Sequence, residues 1–181
     1  MKNTNIKKIC LAALFAALCF VATAFISFPL PTGYANLGDC FAFMAGFVLG
    51  MPWGIAAAGI GSMLADIVLG YAVYAPATFV LKAIIAVAGA LCIGVLLRHK
   101  TSAKWWRLAM PAASFAGEAL MVSGYFLYEC YVLGVGEAAL ASIPVNIGQG
   151  AVGMLASIVI ASVFLKVPAL SRLMMTTGHN K

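Results

Sequence analysis

The chain has 181 residues, 64% of them hydrophobic and only 9% charged, with a mean hydropathy of +1.05 and a formal net charge of +6. A soluble domain of this length has too little interior to hide so much apolar surface, so the sequence is built for lipid. The positive charge does not point to nucleic acid, because no basic stripe with interleaved aromatics occurs.

Crossing a bilayer takes about 20 mostly apolar residues in a helix. Six segments approach that requirement: 9–28, 37–50, 53–69, 77–97, 108–128 and 143–165, the second being short. With the N-terminus inside, Lys2, Lys7, Lys8, Arg98, Lys100, Lys104, Arg107, Lys166, Arg172 and Lys181 all fall on the cytoplasmic side, and the outer loops carry no Lys or Arg. That asymmetry orients membrane helices and supports an even number of crossings with both termini cytoplasmic. The expected fold is an all-α membrane protein of six transmembrane helices, in one domain over 1–181. The five cysteines, at 10, 19, 40, 92 and 130, form no CxxC and no metal-ligand spacing, and read as small apolar packing residues.

In the first helix, Ala22-Thr23-Ala24 imitates a signal-peptidase site, but the apolar run continues to Phe28 and reaches spanning length. Ala12 and Ala16, and likewise Ala13 and Ala17, are four apart, which makes a smooth strip for close helix approach. The strip serves packing either within the chain or against a partner. Residues 29–33, Pro-Leu-Pro-Thr-Gly, should break the helix. The loop after them leads to Asp39, suited to cap the second helix; the alternative places Asn36 and Asp39 at the mouth of a pocket.

Met51-Pro52 should form a tight inner turn. The third helix, with Gly54, Ala58, Gly59, Gly61, Ser62 and Ala65, is expected to pack closely in the bundle, and Ser62 and Asp66 share a face. Thr78 and Lys82 stand in the same relation on the fourth helix. Asp66 and Lys82 flank the stretch 71–82 at similar depth, and ionisable groups there cost several kcal/mol unless paired or hydrated. They therefore either pair with each other or contact a substrate. His99 reads as a loop residue, and Trp105 and Trp106 as interfacial anchors.

Ser114, Glu118, Met121, Tyr125 and Tyr128 form one stripe of the fifth helix. Glu118 lies near mid-membrane, where a carboxylate needs a partner or a proton. Tyr128 also fits an aromatic belt, and Glu129 and Glu137 read as solvated loop residues. Ser142-Ile143-Pro144 looks like an N-cap with proline in the first turn. Asn146, Gln149 and Gly153 then share a face, and the two amides must hydrogen-bond inside the bundle, as glue between helices or as part of a site.

Asn36, Asp39, Asp66, Thr78, Lys82, Tyr125, Asn146 and Gln149 all map to the outer half, with Glu118 below them. The simplest account is an outward-opening cavity with a few convergent polar groups, suited to a small, polar, hydrogen-bonding ring compound. No engine accompanies it: there is no phosphate-binding loop, HExxH, GxSxG or paired histidine, and His99 and His179 are both placed inside. No catalytic residue, metal site or cofactor is expected.

The alanine pairs of the first helix, the loop 33–39 and the hairpin from Ala65-Asp66 to Lys82 resemble the substrate-binding S component of energy-coupling factor (ECF) transporters. The closest group is the riboflavin, hydroxymethylpyrimidine and pyridoxine type. The resemblance covers nearly the whole chain in length, helix number and topology, and is strongest over 9–97. It implies a non-enzymatic, multi-pass protein of a prokaryotic cell membrane that captures a vitamin or vitamin precursor from outside. Residues 29–36 would be a lid over the site. The protein would work with a transmembrane coupling subunit and two ATPases, toppling in the membrane to release its cargo. Carried over by position, Ala12, Ala13, Ala16 and Ala17 would meet the coupling subunit. No vitamin-specific motif is present. The rival readings are a stand-alone transporter using Asp66 or Glu118 as a proton site, and a ligand-free membrane scaffold.

Overall fold

The computed structural model describes residues 2–30, 33–98 and 103–167. Among them are six α-helices: α1 (Lys2–Ala24), α2 (Gly38–Leu49), α3 (Trp53–Val68), α4 (Ala75–Arg98), α5 (Ala103–Leu127) and α6 (Ile143–Lys166). Three helical segments, Asn5–Ala24, Ala75–Val95 and Gly136–Lys166, are long and apolar enough to cross a membrane. His99, Lys100, Arg172, His179 and Lys181 lie outside the described residues. Trp105 and Trp106 fall in the first turn of α5, which begins at Ala103, ahead of the expected Leu108.

The first helix stops at Ala24, short of the expected Phe28. The chain then forms an antiparallel hairpin, β1 (Ser27–Leu30) and β2 (Gly33–Asn36), with Ser27 opposite Asn36. The expected all-α fold therefore carries one small sheet, and of the predicted helix-breaking residues Pro29 and Leu30 end β1 and Gly33 begins β2. The hairpin accompanies a short helix: the 12 residues of α2 extend only about 18 Å at 1.5 Å per residue, well below the ~30 Å of a hydrocarbon core.

Helix α2 is buried on nearly every side and packs against α1, α3, α4 and α6, while α1, α3, α4, α5 and α6 follow one another as neighbours around it. Its sequence explains the position, since Phe43, Met44, Phe47, Val48 and Leu49 leave no polar face. In lipid the apolar contrast that drives soluble cores is missing, so helices associate through close backbone approach. The α2–α4 crossing shows this: a Cβ on Gly46 would lie 2.8 Å from Ala86 Cα, and one on Gly89 would lie 3.0 Å from Phe47 N. The α1–α3 contact is similar, with Gly61 seated against the carbonyl of Ala16 and a Cβ there 2.9 Å from Cys19 Cβ.

Helix α5 contains Pro111 and continues through it. At its far end the chain widens into a π-helical turn, Tyr128–Val132, with Leu133 N–H bonding to Tyr128 O at 3.0 Å. A 3₁₀ helix, Gly136–Ser142, then feeds directly into α6. Ser142 is consequently not the side-chain cap expected of it. It sits in helical conformation, and the N–H of Ile143 already has the carbonyl of Leu140.

Gly46→Leu and Gly89→Leu should each lower stability by at least ~1–3 kcal/mol, because backbone lies where the side chain must go. Gly148→Ala, with nothing within 4 Å of its Cβ position, should change stability by less than ~0.5 kcal/mol. Thermal unfolding in detergent checks all three, and equal effects at Gly46 and Gly148 would contradict the packing described.

Candidate functional site

The site is built around Lys82, 1% exposed in α4, whose ammonium is paired with Asp39 Oδ1 of α2. A buried charge of this kind is tolerable only when paired and hydrogen-bonded. Asp39 does not cap α2 as expected. It lies inside the first turn, where the helix dipole favours an acid. The N-terminus is served instead by Asn36, whose Oδ1 accepts from the Gly38 N–H at 2.9 Å.

The other Asp39 oxygen accepts from Gln149 Nε2 at 2.6 Å. Gln149 Oε1 in turn accepts from both the backbone N–H and the Nδ2 of Asn36, at 3.0 and 3.1 Å. One continuous chain of polar contacts thus joins α4, α2, α6 and the end of β2. Lys82 therefore draws its counter-ion from α2, where Asp39 reads as a helix cap, and Asp66 of α3 is buried on the wall of the same site.

Above this floor is an open cleft, with about 520 Å³ of space between atoms when the solvent at its mouth is included. Asn36, Asp66, Thr78, Lys82, Tyr125, Asn146 and Gln149 all line it, joined by Thr23, Tyr71, Tyr74, Glu129, Ser142 and Val145. Asp39 lies behind the wall and positions Lys82 and Gln149. Glu118 does not line the cleft: its carboxyl packs on α6, with Oε2 3.2 Å from a Cβ position on Gly150 and Oε1 3.1 Å from one on Gly153. Lower still, Ser114 and Ser157 join α5 to α6 at 3.2 Å. On the α4–α5 side, the Thr78 hydroxyl and the Tyr125 phenol are 2.8 Å apart.

Glu129, expected to be solvated, is 6% exposed and organises the rim. Its Oε2 accepts from Ser142 at 2.5 Å and its Oε1 from the Tyr74 phenol at 3.4 Å. Burial first, and the adjacent carboxylate second, raise the Tyr74 pKa, which keeps the phenol a donor to Glu129. Tyr128 donates to Val73 O at 2.6 Å, and its ring lies 6.2 Å from that of Tyr74.

Two of these additions have a signal in the sequence. Tyr71, Tyr74, Thr78 and Lys82 follow at steps of three, four and four, the spacing of one helical face. Glu129 has none, because the π turn that carries it inward is not a periodic feature. Thr23 is hidden in an apolar stretch that reads as lipid-facing.

On the α1 strip, Ala13 and Ala17 are exposed, whereas Ala12 and Ala16 are half-buried and pack towards the chain's own core.

Comparison with known proteins agrees with this architecture. Residues 3–169 match the family described as ECF-type riboflavin transporter, S component. The chain is also 30% identical over 156 residues to the thiamine precursor transporter HmpT of Lactococcus lactis subsp. cremoris (strain MG1363), covering 84% of each chain. No solved structure matches. S components are membrane-embedded transporter parts and not enzymes. A family match across almost the entire chain, on a helical bundle with a polar cleft, means that this protein belongs to the ECF-type riboflavin transporter S-component family.

Proposed function

We propose that this S component captures a small, uncharged or cationic heteroaromatic vitamin precursor in the cleft at the hairpin end, with a hydroxymethylpyrimidine-type thiamine precursor as first choice. The carrying observation is the convergence of Asn36, Asp66, Thr78, Lys82, Tyr125, Asn146 and Gln149 on one cleft. The tyrosines Tyr71 and Tyr74 add flat apolar surface suited to a ring. Similarity to a protein named for a thiamine precursor sets the order among riboflavin-, pyridoxine- and pyrimidine-like ligands.

Charge narrows the class further. Of the five acidic residues in the chain, Asp39, Asp66, Glu118 and Glu129 are buried in or behind the cleft, where Lys82 is the base that accompanies them. Because Lys82 is already held by Asp39, little positive potential is left for a phosphate. The remaining features follow the family: the cleft opens outward, both termini are cytoplasmic, and residues 1–181 act as one domain in a prokaryotic cell membrane. A transmembrane coupling subunit and two ATPases supply the energy. On α1 the exposed Ala13 and Ala17 are the better candidates for the coupling-subunit contact, with Ala12 and Ala16 turned towards the chain's own core.

A thermal-shift panel of hydroxymethylpyrimidine, thiamine, pyridoxine and riboflavin on the purified chain tests the ligand. The true ligand at 100 times its Kd should add about 2.7 kcal/mol. Its phosphate ester should bind at least ~tenfold more weakly, equivalent to ~1.4 kcal/mol. A ligand that binds as well with phosphate as without it would sink the charge argument, and no stabiliser in the panel would sink the reading as a whole.

Ala17→Trp should cut uptake in cells by roughly an order of magnitude or more, while leaving the Kd of the purified chain unchanged, since a large side chain blocks close helix approach. Pure chain that accumulates ligand in vesicles with no partner present would instead favour a proton-coupled carrier.

A further inference from the structure

We infer that Thr23, at the end of α1, contributes a direct ligand contact, so that the cleft is read by α1 as well as by α3, α4, α5 and α6. This deepens the proposed function and rests on it. Thr23 is fully buried and lines the cleft, yet its Oγ1 has no hydrogen-bond partner among the described residues.

Hydroxyls near apolar surroundings ordinarily satisfy themselves by bonding back to a carbonyl three or four residues earlier. Other serines of this chain do so: Ser123 to Ala119 O at 2.8 Å, Ser157 to Met154 O at 2.8 Å and Ser162 to Ile158 O at 2.6 Å. Thr23 forgoes that bond. Ser62 also lacks a partner among the described residues, but it is not on the cleft wall.

The surroundings hold the hydroxyl in place. Gly38 leaves room for it, because a Cβ there would collide with Thr23 Oγ1 and lie 2.7 Å from Asn36 Oδ1. That Asn36 oxygen is occupied by the Gly38 N–H, and the Asn36 amide by Gln149. Neither Asn36 nor any other described group bonds to the Thr23 hydroxyl, and the open space beside that residue is the cleft it lines. A buried hydroxyl is costly when unpaired and favourable when paired, so its geometry suits a hydrogen-bonding group on a bound ring compound. The same helix carries Ala13 and Ala17 one to three turns earlier, which gives α1 a direct stake in occupancy.

The test is isothermal titration of the purified chain and its variants with hydroxymethylpyrimidine, thiamine, pyridoxine and riboflavin. Thr23→Val, equal in shape but without the hydroxyl, should weaken the bound compound roughly three- to tenfold, the worth of one hydrogen bond. Its ligand-free thermal midpoint should be unchanged or raised. Thr23→Ser should restore binding to within about twofold of the parent, since the donor is retained. Unchanged affinity in Thr23→Val overturns the inference. So does a fall in the ligand-free midpoint that Thr23→Ser fails to reverse, which marks a structural role. If the unsubstituted chain binds none of the compounds, the proposed function fails first and this contact falls with it, so the two failures are told apart by which protein shows them.

Discussion

The pairing of Lys82 with Asp39 is the constraint on which the rest of the arrangement depends. An ammonium 1% exposed in a membrane bundle would cost several kcal/mol without a counter-ion, and that counter-ion must come from a neighbouring helix at the same depth. Helix α2 meets the requirement by beginning deep in the bundle, with Asp39 in its first turn. A full-length second helix would have placed those residues nearer the surface. The short α2, the hairpin ahead of it and the polar floor of the cleft are thus aspects of one solution.

Charge is sorted accordingly. Ten of the eleven basic residues lie outside the six apolar segments of the sequence, the distribution that orients membrane helices. Lys82 is the exception, and four of the five acids are buried in the same bundle. The result is a basic protein whose buried site is rich in acids, so the net charge of the chain does not describe the charge around the cleft. What matters is local, because in a low-dielectric interior nearby charges dominate over distant ones.

Much of this is legible in the residues. Hydrophobic length locates all six helices, and the depth of Asn36, Asp66, Thr78, Lys82, Tyr125, Asn146 and Gln149 anticipates their convergence on one cleft. Partner choice is not legible. Asp39 stands where a helix cap belongs, and only the packing of α2 against α4 brings its carboxylate to Lys82. The hairpin escapes prediction because Pro29 and Gly33 signal a break in the helix without specifying the structure beyond it. Glu129 reads as solvated because a π turn breaks the 3.6-residue period from which its position would be inferred. The alanine strip illustrates the same limit: spacing of four identifies a smooth face, but not whether the helix on the other side belongs to this chain, as α3 does for Ala16.

Gln149 connects these parts more directly than any other side chain. Its amide nitrogen holds Asp39, the counter-ion of Lys82, while its carbonyl holds both donors of Asn36 at the end of β2. The hairpin cannot lift from α6 without exposing that carbonyl, and a freed Gln149 would loosen its grip on Asp39. Hairpin and charge pair are therefore coupled through one residue, by contacts rather than by distance. The end of β2 and the charge pair of the cleft floor share one set of hydrogen bonds, so a change at either end is felt at the other.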